Sequence, residues 1–130
     1  MGANHFGYQV TDAELAYVSK AYEESSAFIT ICGGIQIPLQ AGLLAGKTVT
    51  APRGLIEFGR QLSPSTTILE KRWVRDGKLW TSGALLNGLD LMRAFATETW
   101  GGEGTLMDYL LQVGHCPARD VDYKDAPSAL

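Results

Sequence analysis

The feature that most constrains the fold is a short apolar segment that runs directly into a pair of glycines. Residues 27–32 are almost entirely apolar, and Gly33 and Gly34 follow at once. An apolar run of this length is typical of a parallel strand that is covered on both faces. Helical spacing resumes over 35–44 and ends before Gly46, a residue suited to a left-handed helix cap. The sequence therefore predicts a buried strand that turns sharply into a helix.

The rest of the chain predicts helices that alternate with strands. Thr11 and Glu14 form a capping-box pattern, which predicts a helix from there to about residue 24. The other predicted elements are strands at 47–51, 67–74 and 78–82, and helices at 55–62, 85–99 and 104–113. Asp76-Gly77 supplies a tight hairpin turn between the last two strands. This order favours an α/β layered sheet.

Composition excludes several classes of function. A chain of 130 residues with 45% hydrophobic and 19% charged residues is typical of one folded domain or less. Its Lys and Arg residues are scattered, so we expect no nucleic-acid partner. No apolar run is long enough to span a membrane, and the first residues lack the pattern of a signal peptide. We therefore expect a cytoplasmic protein without a membrane partner.

The two cysteines, Cys32 and Cys116, are too few for a disulfide framework, although a single bridge between them is arithmetically possible. Free thiols in a reducing compartment are the favoured interpretation. His115 stands beside Cys116, but the chain holds only one other His and one other Cys. A four-ligand zinc site would need carboxylates or a partner. We therefore expect neither a metal nor a cofactor.

Cys32 occupies the position of a nucleophile at a strand-to-helix turn, an arrangement known as a nucleophile elbow. Small residues are needed beside such a turn because other backbone segments lie close to it. Free N–H groups at the start of the following helix stabilise a thiolate and a developing oxyanion. The residues alone leave a structural buried cysteine as an equal alternative, because cysteine is among the most buried residue types.

Three motifs together resemble the DJ-1/PfpI superfamily. They are the elbow and its helix, I-T-I-C-G-G at 29–34 with Q-A-G-L-L-A-G-K at 40–47; the hairpin, R-W-V-R-D-G-K-L-W-T-S at 72–82; and the start of the next helix, N-G-L-D at 87–90. The similarity covers about residues 27–99, and fungal isonitrile-hydratase-like members look nearest. It implies a flavodoxin-like, three-layer α/β sandwich.

The resemblance implies an enzyme of the hydratase, lyase or hydrolase type. Cys32 would attack a small electrophilic metabolite, with the backbone N–H groups of Gly33 and Gly34 around the developing anion. The alternative is a non-catalytic binding or interaction subunit that keeps the elbow because the fold needs the turn. Redox sensing through Cys32 is a third reading, for which Cys116 is the available resolving thiol.

This chain departs from the family pattern at two points. Relatives reach the elbow after several strands, one of which supplies a carboxylate to the cysteine, whereas here one helix and one strand precede Cys32. Many relatives also carry Thr-His after the elbow helix, where this chain has Thr50 and Ala51. We therefore expect residues 1–130 to form a single partial domain, the elbow and C-terminal half. Either a homo-oligomer or a companion chain would supply the missing N-terminal half.

Further candidates lie outside the elbow. His5, Ala51 and Arg53 are candidate pocket residues, and Arg53 is suited to stabilising an anion. Trp73 and Trp80 are interpreted as cross-strand packing on the hairpin. An apolar stripe on one helix, which the periodicity assigns either to the core or to a dimer interface, consists of Leu86, Leu89, Met92 and Phe95. The polar segment 117–130 is expected to be a loose tail.

Overall fold

The computed structural model describes residues 9–127. The α-helices are α1 Asp12–Glu24, α2 Gln36–Gln40, α3 Ile56–Leu62, α4 Asn87–Trp100 and α5 Leu106–Val113. The strands are β1 Phe28–Ile31, β2 Thr48–Thr50, β3 Thr67–Leu69, β4 Trp73–Asp76 and β5 Leu79–Ser82. Short 3-10 helices at Cys32–Ile35 and Arg53–Leu55 lead into α2 and α3.

The helix α1 begins at the capping box that the sequence predicts. The Thr11 backbone N–H donates to Glu14 Oε2 at 2.8 Å, and the Glu14 N–H donates to Thr11 Oγ1 at 3.3 Å. These two bonds satisfy N–H groups that would otherwise lack a partner at the helix start. The same glutamate is therefore part of the helix and not a strand-borne carboxylate near the elbow.

The central strand β5 joins the parallel and antiparallel parts of the sheet. It pairs parallel with β1, from Phe28 opposite Leu79 to Ile31 opposite Ser82, and antiparallel with β4. β2 and β3 form a second parallel pair. Side chains connect the pairs, since the Thr50 N–H donates to Thr81 Oγ1 at 2.8 Å and the Thr48 N–H to Asp76 Oδ2 at 2.7 Å.

Helices cover both faces of the sheet. Consecutive residues of β5 point to opposite sides, so each of these two layers receives side chains from this strand. Leu79 is fully buried in the core on the side of α2 and α3. Trp80 faces the other layer, where its ring meets Phe95 of α4 at 5.3 Å edge to face. Trp73 stacks on Trp80 at 5.8 Å, as the sequence predicts. The larger core cluster contains Ile35, Leu39, Leu44, Val49, Ala51, Leu55, Ile56, Ile68 and Leu79.

Residues 117–127 lie across the carboxyl ends of the strands, and we call them the C-terminal strap. Its Val121 carbonyl accepts from the Arg72 N–H at 2.9 Å, and its Asp125 carboxylate accepts from Arg72 Nη1 at 2.6 Å. Arg119 binds Asp90 of α4 through two hydrogen bonds, at 2.7 and 2.9 Å. These contacts differ from the loose tail predicted by the polar composition, because charges on the folded domain pair with the strap.

Two predicted elements have different bounds in the structure. The helix predicted over 35–44 ends at Gln40 and continues as turns to Gly46, which does adopt a left-handed φ of 72°. The predicted strand 67–74 is divided between β3 and β4. At Lys71 the backbone does not pair with a strand, because its carbonyl accepts from the Thr50 hydroxyl at 2.8 Å and its N–H donates to the same oxygen at 3.4 Å. The hairpin turn is Gly77-Lys78, with φ of 61° at Gly77.

No helix within residues 9–127 combines the length and apolar character needed to cross a membrane.

The residues of the apolar stripe on α4 differ in how far they are buried. Phe95 packs between Trp80 and Trp100, whereas Leu86, Leu89 and Met92 are exposed by 62%, 49% and 40%. The stripe is therefore half-buried against aromatic rings at one end and open surface at the other.

Candidate active site

Cys32 lies at the turn between β1 and the 3-10 helix that leads into α2. Its φ is 57°, in the left-handed region that residues other than glycine rarely adopt. Such a conformation costs an L-residue about 1–2 kcal/mol, and strained backbone of this kind clusters at active sites. The thiol is free and half-buried. The structure thus contains the sharp strand-to-helix turn that the sequence predicts at this cysteine.

Gly33 is buried in this turn, while a Cβ added to Gly34 would meet no atom within 4 Å. The close approach near the elbow comes instead from α4, where a Cβ added to Gly88 would lie 3.1 Å from the Ile31 side chain. The backbone N–H groups of Gly33 and Gly34 open the 3-10 helix directly behind the thiol. Their role as oxyanion donors stays a prediction.

Of the three predicted pocket residues, the structure describes Ala51 and Arg53. Ala51 is 3% exposed and belongs to the core. The Arg53 guanidinium is engaged elsewhere: its Nε donates to Glu70 Oε1 at 2.7 Å and its Nη1 to the Pro127 carbonyl at 3.0 Å. His5 lies outside the described residues. The Arg53 guanidinium is therefore paired with Glu70 and with the strap.

A polar cluster that the sequence does not predict occupies the same edge of the sheet. Tyr123 of the strap lies between two guanidinium groups, with Arg53 and Arg72 each 4.9 Å from the centre of its ring. The Tyr123 hydroxyl donates to Asn87 Oδ1 at 2.8 Å. Arg72 itself is 6% exposed, an uncommon position for an arginine. The strap thereby brings an aromatic hydroxyl against two cations of the domain at the carboxyl ends of the strands.

The sheet register places this cluster beside the elbow. Ser82 is the partner of Ile31, so Gly83 follows β5 where Cys32 follows β1. A Cβ added to Gly83 would lie 2.6 Å from the Tyr123 hydroxyl and 2.8 Å from Asn87 Oδ1. Tyr123 therefore contacts the end of the strand next to the one that carries Cys32.

Burial and charge set the protonation of the cluster. Burial raises the pKa of the Tyr123 hydroxyl, with the nearby Arg72 and Arg53 acting in the opposite direction, so the phenol is a neutral donor near pH 7. The hydrogen bond from Arg72 lowers the pKa of the Asp125 carboxyl, and the Lys71 ammonium does the same for Asp122. Asp122 and Asp125 are thus ionised and paired with cations of the domain.

A cleft of about 320 Å³ lies between α4 and the start of the strap, and its lining includes Trp73, Asp90, Arg93 and Arg119. It lies on the α4 side of the cluster, and Cys32 does not line it. Within residues 9–127, no group of three or more His, Cys, Asp or Glu side chains is arranged to hold a metal ion. The arrangement offers a thiol, backbone donors and a cationic edge.

Solved structures resemble this fold. An AraC family transcriptional regulator from Pseudomonas putida is 16% identical, with a TM-score of 0.67 over 81% of this chain and 56% of its own. A DJ-1 superfamily protein from Salmonella typhimurium is 15% identical, with a TM-score of 0.64 over 80% and 54%. A ThiJ/PfpI family protein from Pseudomonas syringae is 22% identical, with a TM-score of 0.59 over 88% and 50%.

This chain spans about half the length of these three proteins, and at such identities the likeness shows the fold. It confirms the flavodoxin-like, three-layer α/β class. A search of the curated proteins finds no significant match. The sequence model of the DJ-1/PfpI family matches residues 8–98, well over half of the chain. The chain therefore belongs to the DJ-1/PfpI family.

Proposed function

We propose that the protein is a Cys32-dependent enzyme of the hydratase, lyase or hydrolase type that acts on a small electrophilic metabolite. The observation that carries this proposal is the left-handed conformation of Cys32, at φ 57°, on a half-buried turn between a strand and a helix. If the turn had only a structural role, glycine would fill it without strain. Strained residues other than glycine cluster at functional sites, so the cysteine here favours a chemical role.

The chemistry follows from the position of the thiol. Cys32 Sγ adds to the electrophilic carbon of an α-oxoaldehyde or an isonitrile and forms a carbon–sulfur bond. For an aldehyde, the π electrons of the carbonyl move onto oxygen, and the proton of the thiol ends on that oxygen. The N–H groups of Gly33 and Gly34 would stabilise the charge while it develops. No cofactor is required for this addition, and the two free thiols fit a reducing, cytoplasmic setting.

The proposal is tested with Cys32→Ala and Cys32→Ser. Consumption of methylglyoxal and of a simple alkyl isonitrile is measured for each variant and for the parent protein. We expect both variants to lose at least about 100-fold in kcat/KM, because removal of a nucleophile leaves only the contribution of binding and backbone donors. A variant with parent-like turnover of a substrate that the parent consumes would contradict the proposal.

Cys116→Ser is the matched control, since Cys116 is also free and half-buried but lies after α5. It should retain parent-like activity. Alkylation by iodoacetamide gives a second readout that needs no substrate. An activated Cys32 reacts well below about pH 8, whereas an inert thiol does not.

A non-catalytic binding role is the second candidate. The observation that favours it is Ala51, which is buried where many relatives carry a histidine, so the position cannot supply a base. Two structural neighbours are described as transcriptional regulators, from Pseudomonas putida and Vibrio parahaemolyticus. Under this alternative Cys32 stays slow toward iodoacetamide, and both Cys32 variants bind small molecules as the parent does.

A further inference from the structure

Three cations converge at the carboxyl edge of the sheet, where the C-terminal strap crosses it. Arg53 follows β2, and Lys71 and Arg72 lie between β3 and β4. The strap supplies Asp122 to Lys71, Asp125 to Arg72 at 2.6 Å and the Pro127 carbonyl to Arg53 at 3.0 Å. Arg53 also pairs with Glu70 of the domain at 2.6 Å, so only part of its guanidinium depends on the strap. The cations belong to the folded domain, whereas most of their partners belong to this last segment.

Arg72 is the unusual member of this group. Its side chain is 7% exposed, and its buried Nε has no hydrogen-bond partner among the described residues. Buried guanidinium donors are normally all satisfied, because an unpaired one keeps the full cost of its desolvation. Asp125 and the Asp120 carbonyl contact Nη1 alone. The carboxylate of Asp125 thus leaves Nε unsatisfied, and a ligand with more acceptor oxygens would bind this donor once the strap opens.

The strap itself is held by bonds that can be exchanged. Asp122 and Asp125 are 42% and 47% exposed, and ion pairs at such exposure are individually weak. Tyr123, between Arg53 and Arg72, has a φ of 59°, in the left-handed region that disfavours a bulky residue. Release of the strap would relax this strain. A competing anion therefore has to displace only weak ion pairs, and the release of Tyr123 from its left-handed conformation favours the displacement.

We propose that Arg53, Lys71 and Arg72 form a binding site for a small oxyanion, a phosphate or carboxylate group, which the C-terminal strap closes by placing Asp122 and Asp125 on the same cations. An arriving anion displaces these two carboxylates and opens the strap. Planar guanidinium groups suit this exchange, since they bind carboxylates and phosphates through two parallel hydrogen bonds.

This site is separate from the thiol chemistry of Cys32, although it lies next to it. Tyr123 contacts the end of β5 beside the strand that carries Cys32. Opening of the strap therefore removes a side chain from the neighbourhood of the elbow. Anion binding is measured without any substrate, so a failure of the Cys32 proposal and a failure of this one are seen in different experiments.

The test titrates the full chain with inorganic phosphate, and in a second arm with malonate, by calorimetry. Asp122→Asn and Asp125→Asn are combined so that the cations stay and their internal partners lose charge. We expect the dissociation constant for phosphate to fall about tenfold in this double variant, because a larger fraction of molecules has an open site. Tighter malonate than phosphate binding would assign the site to carboxylates, and the reverse to phosphates.

Glu23→Gln combined with Glu103→Gln is the matched control, because it removes the same charge from two exposed carboxylates outside the strap. It should bind both anions as the parent does. An equal gain in affinity in the control, or none in the double variant, would overturn the proposal.

Hydrogen exchange on the parent protein tests the opening of the strap even if the double variant does not fold. Phosphate must speed exchange of the Arg72 amide, which donates to Val121, and unchanged exchange at saturating phosphate refutes the strap's role.

Discussion

The left-handed backbone conformation of Cys32 suits glycine better than cysteine. A residue with φ of 57° at this turn would be better served by glycine, which adopts left-handed angles without a steric penalty. Alanine has the same difficulty as cysteine, because the penalty comes from Cβ. The strain at Cys32 therefore persists in any variant that keeps a Cβ, and it disappears in the glycine variant.

Cys32→Gly should consequently be more stable than Cys32→Ala, by about 1 kcal/mol in the free energy of unfolding. The relief of strain is larger than the gain in unfolded-chain entropy that glycine brings, about 0.4–1 kcal/mol. Urea unfolding followed by circular dichroism measures the difference. A glycine variant less stable than the alanine variant would show that the turn is unstrained.

The same pair of substitutions at Cys116 provides the control. Cys116 is half-buried like Cys32 but has no left-handed φ, so glycine there brings only its entropic cost. We expect Cys116→Gly to be less stable than Cys116→Ala. The order of glycine and alanine should thus be reversed between the two cysteines.

At the scale of elements, local chemistry made some features predictable from sequence. The capping box at Thr11, the hairpin at Gly77 and the turn at Cys32 depend on residues within a few positions of each other. The strap depends on distant ones: Asp125 is 53 residues from Arg72, and Tyr123 is 36 from Asn87. A polar segment with no apolar periodicity carries no local signal for such contacts. The burial of Arg72 could not be predicted from the sequence for the same reason, because it depends on contacts with the strap.

The strap should detach in acid. Asp122 and Asp125 have lowered pKa values while they pair with Lys71 and Arg72, and Lys124 and Arg119 act in the same direction. The detached strap therefore binds protons more readily than the attached one. The contribution of these two pairs to attachment is complete above the ordinary carboxyl pKa of about 3.9 and is lost as the pH falls below it toward the lowered values. Protection of the Arg72 amide, measured by hydrogen exchange between pH 5 and pH 3, should fall over this range.

The Asp122→Asn and Asp125→Asn double variant supplies the comparison, since its amides cannot titrate. Protection of its Arg72 amide should be low and should change much less over the same pH range. An amide inside the sheet, such as that of Thr50, reports whether the whole domain unfolds. Equal protection of Arg72 at pH 5 and pH 3 in the parent protein would show that the carboxylates do not hold the strap.

At the scale of the whole molecule, the surfaces left uncovered within residues 9–127 include the outer edge of β1 and an apolar face of α4. β1 lies at the end of the order β1-β5-β4, so no strand of residues 9–127 pairs with its outer edge. Ile31 of β1 is 38% exposed, and it touches Gly88 of α4. Leu86, directly before α4, and Leu89 of α4 are exposed beyond it. An open strand edge beside an apolar helix face is a surface that proteins normally cover.

We propose that a second copy of the chain covers this surface, and a companion chain of different sequence is the alternative. Two copies related by a twofold axis would place the same edge and the same leucines against each other. Native mass spectrometry at low micromolar concentration distinguishes the two, because a homodimer doubles the mass of the chain while a companion adds a different mass. A stable monomer at that concentration would contradict both.

Leu89→Glu should shift the assembly toward monomer, because it buries a charge in the contact without a partner. Leu62→Glu is the matched control: Leu62 is 47% exposed and Leu89 49%, but Leu62 lies at the end of α3, away from β1. It should leave the assembly intact. If both variants dissociate alike, the contact is not specific to the α4 face. If only Leu89→Glu dissociates, the exposed part of the apolar stripe is an interface, the assignment that periodicity alone left open.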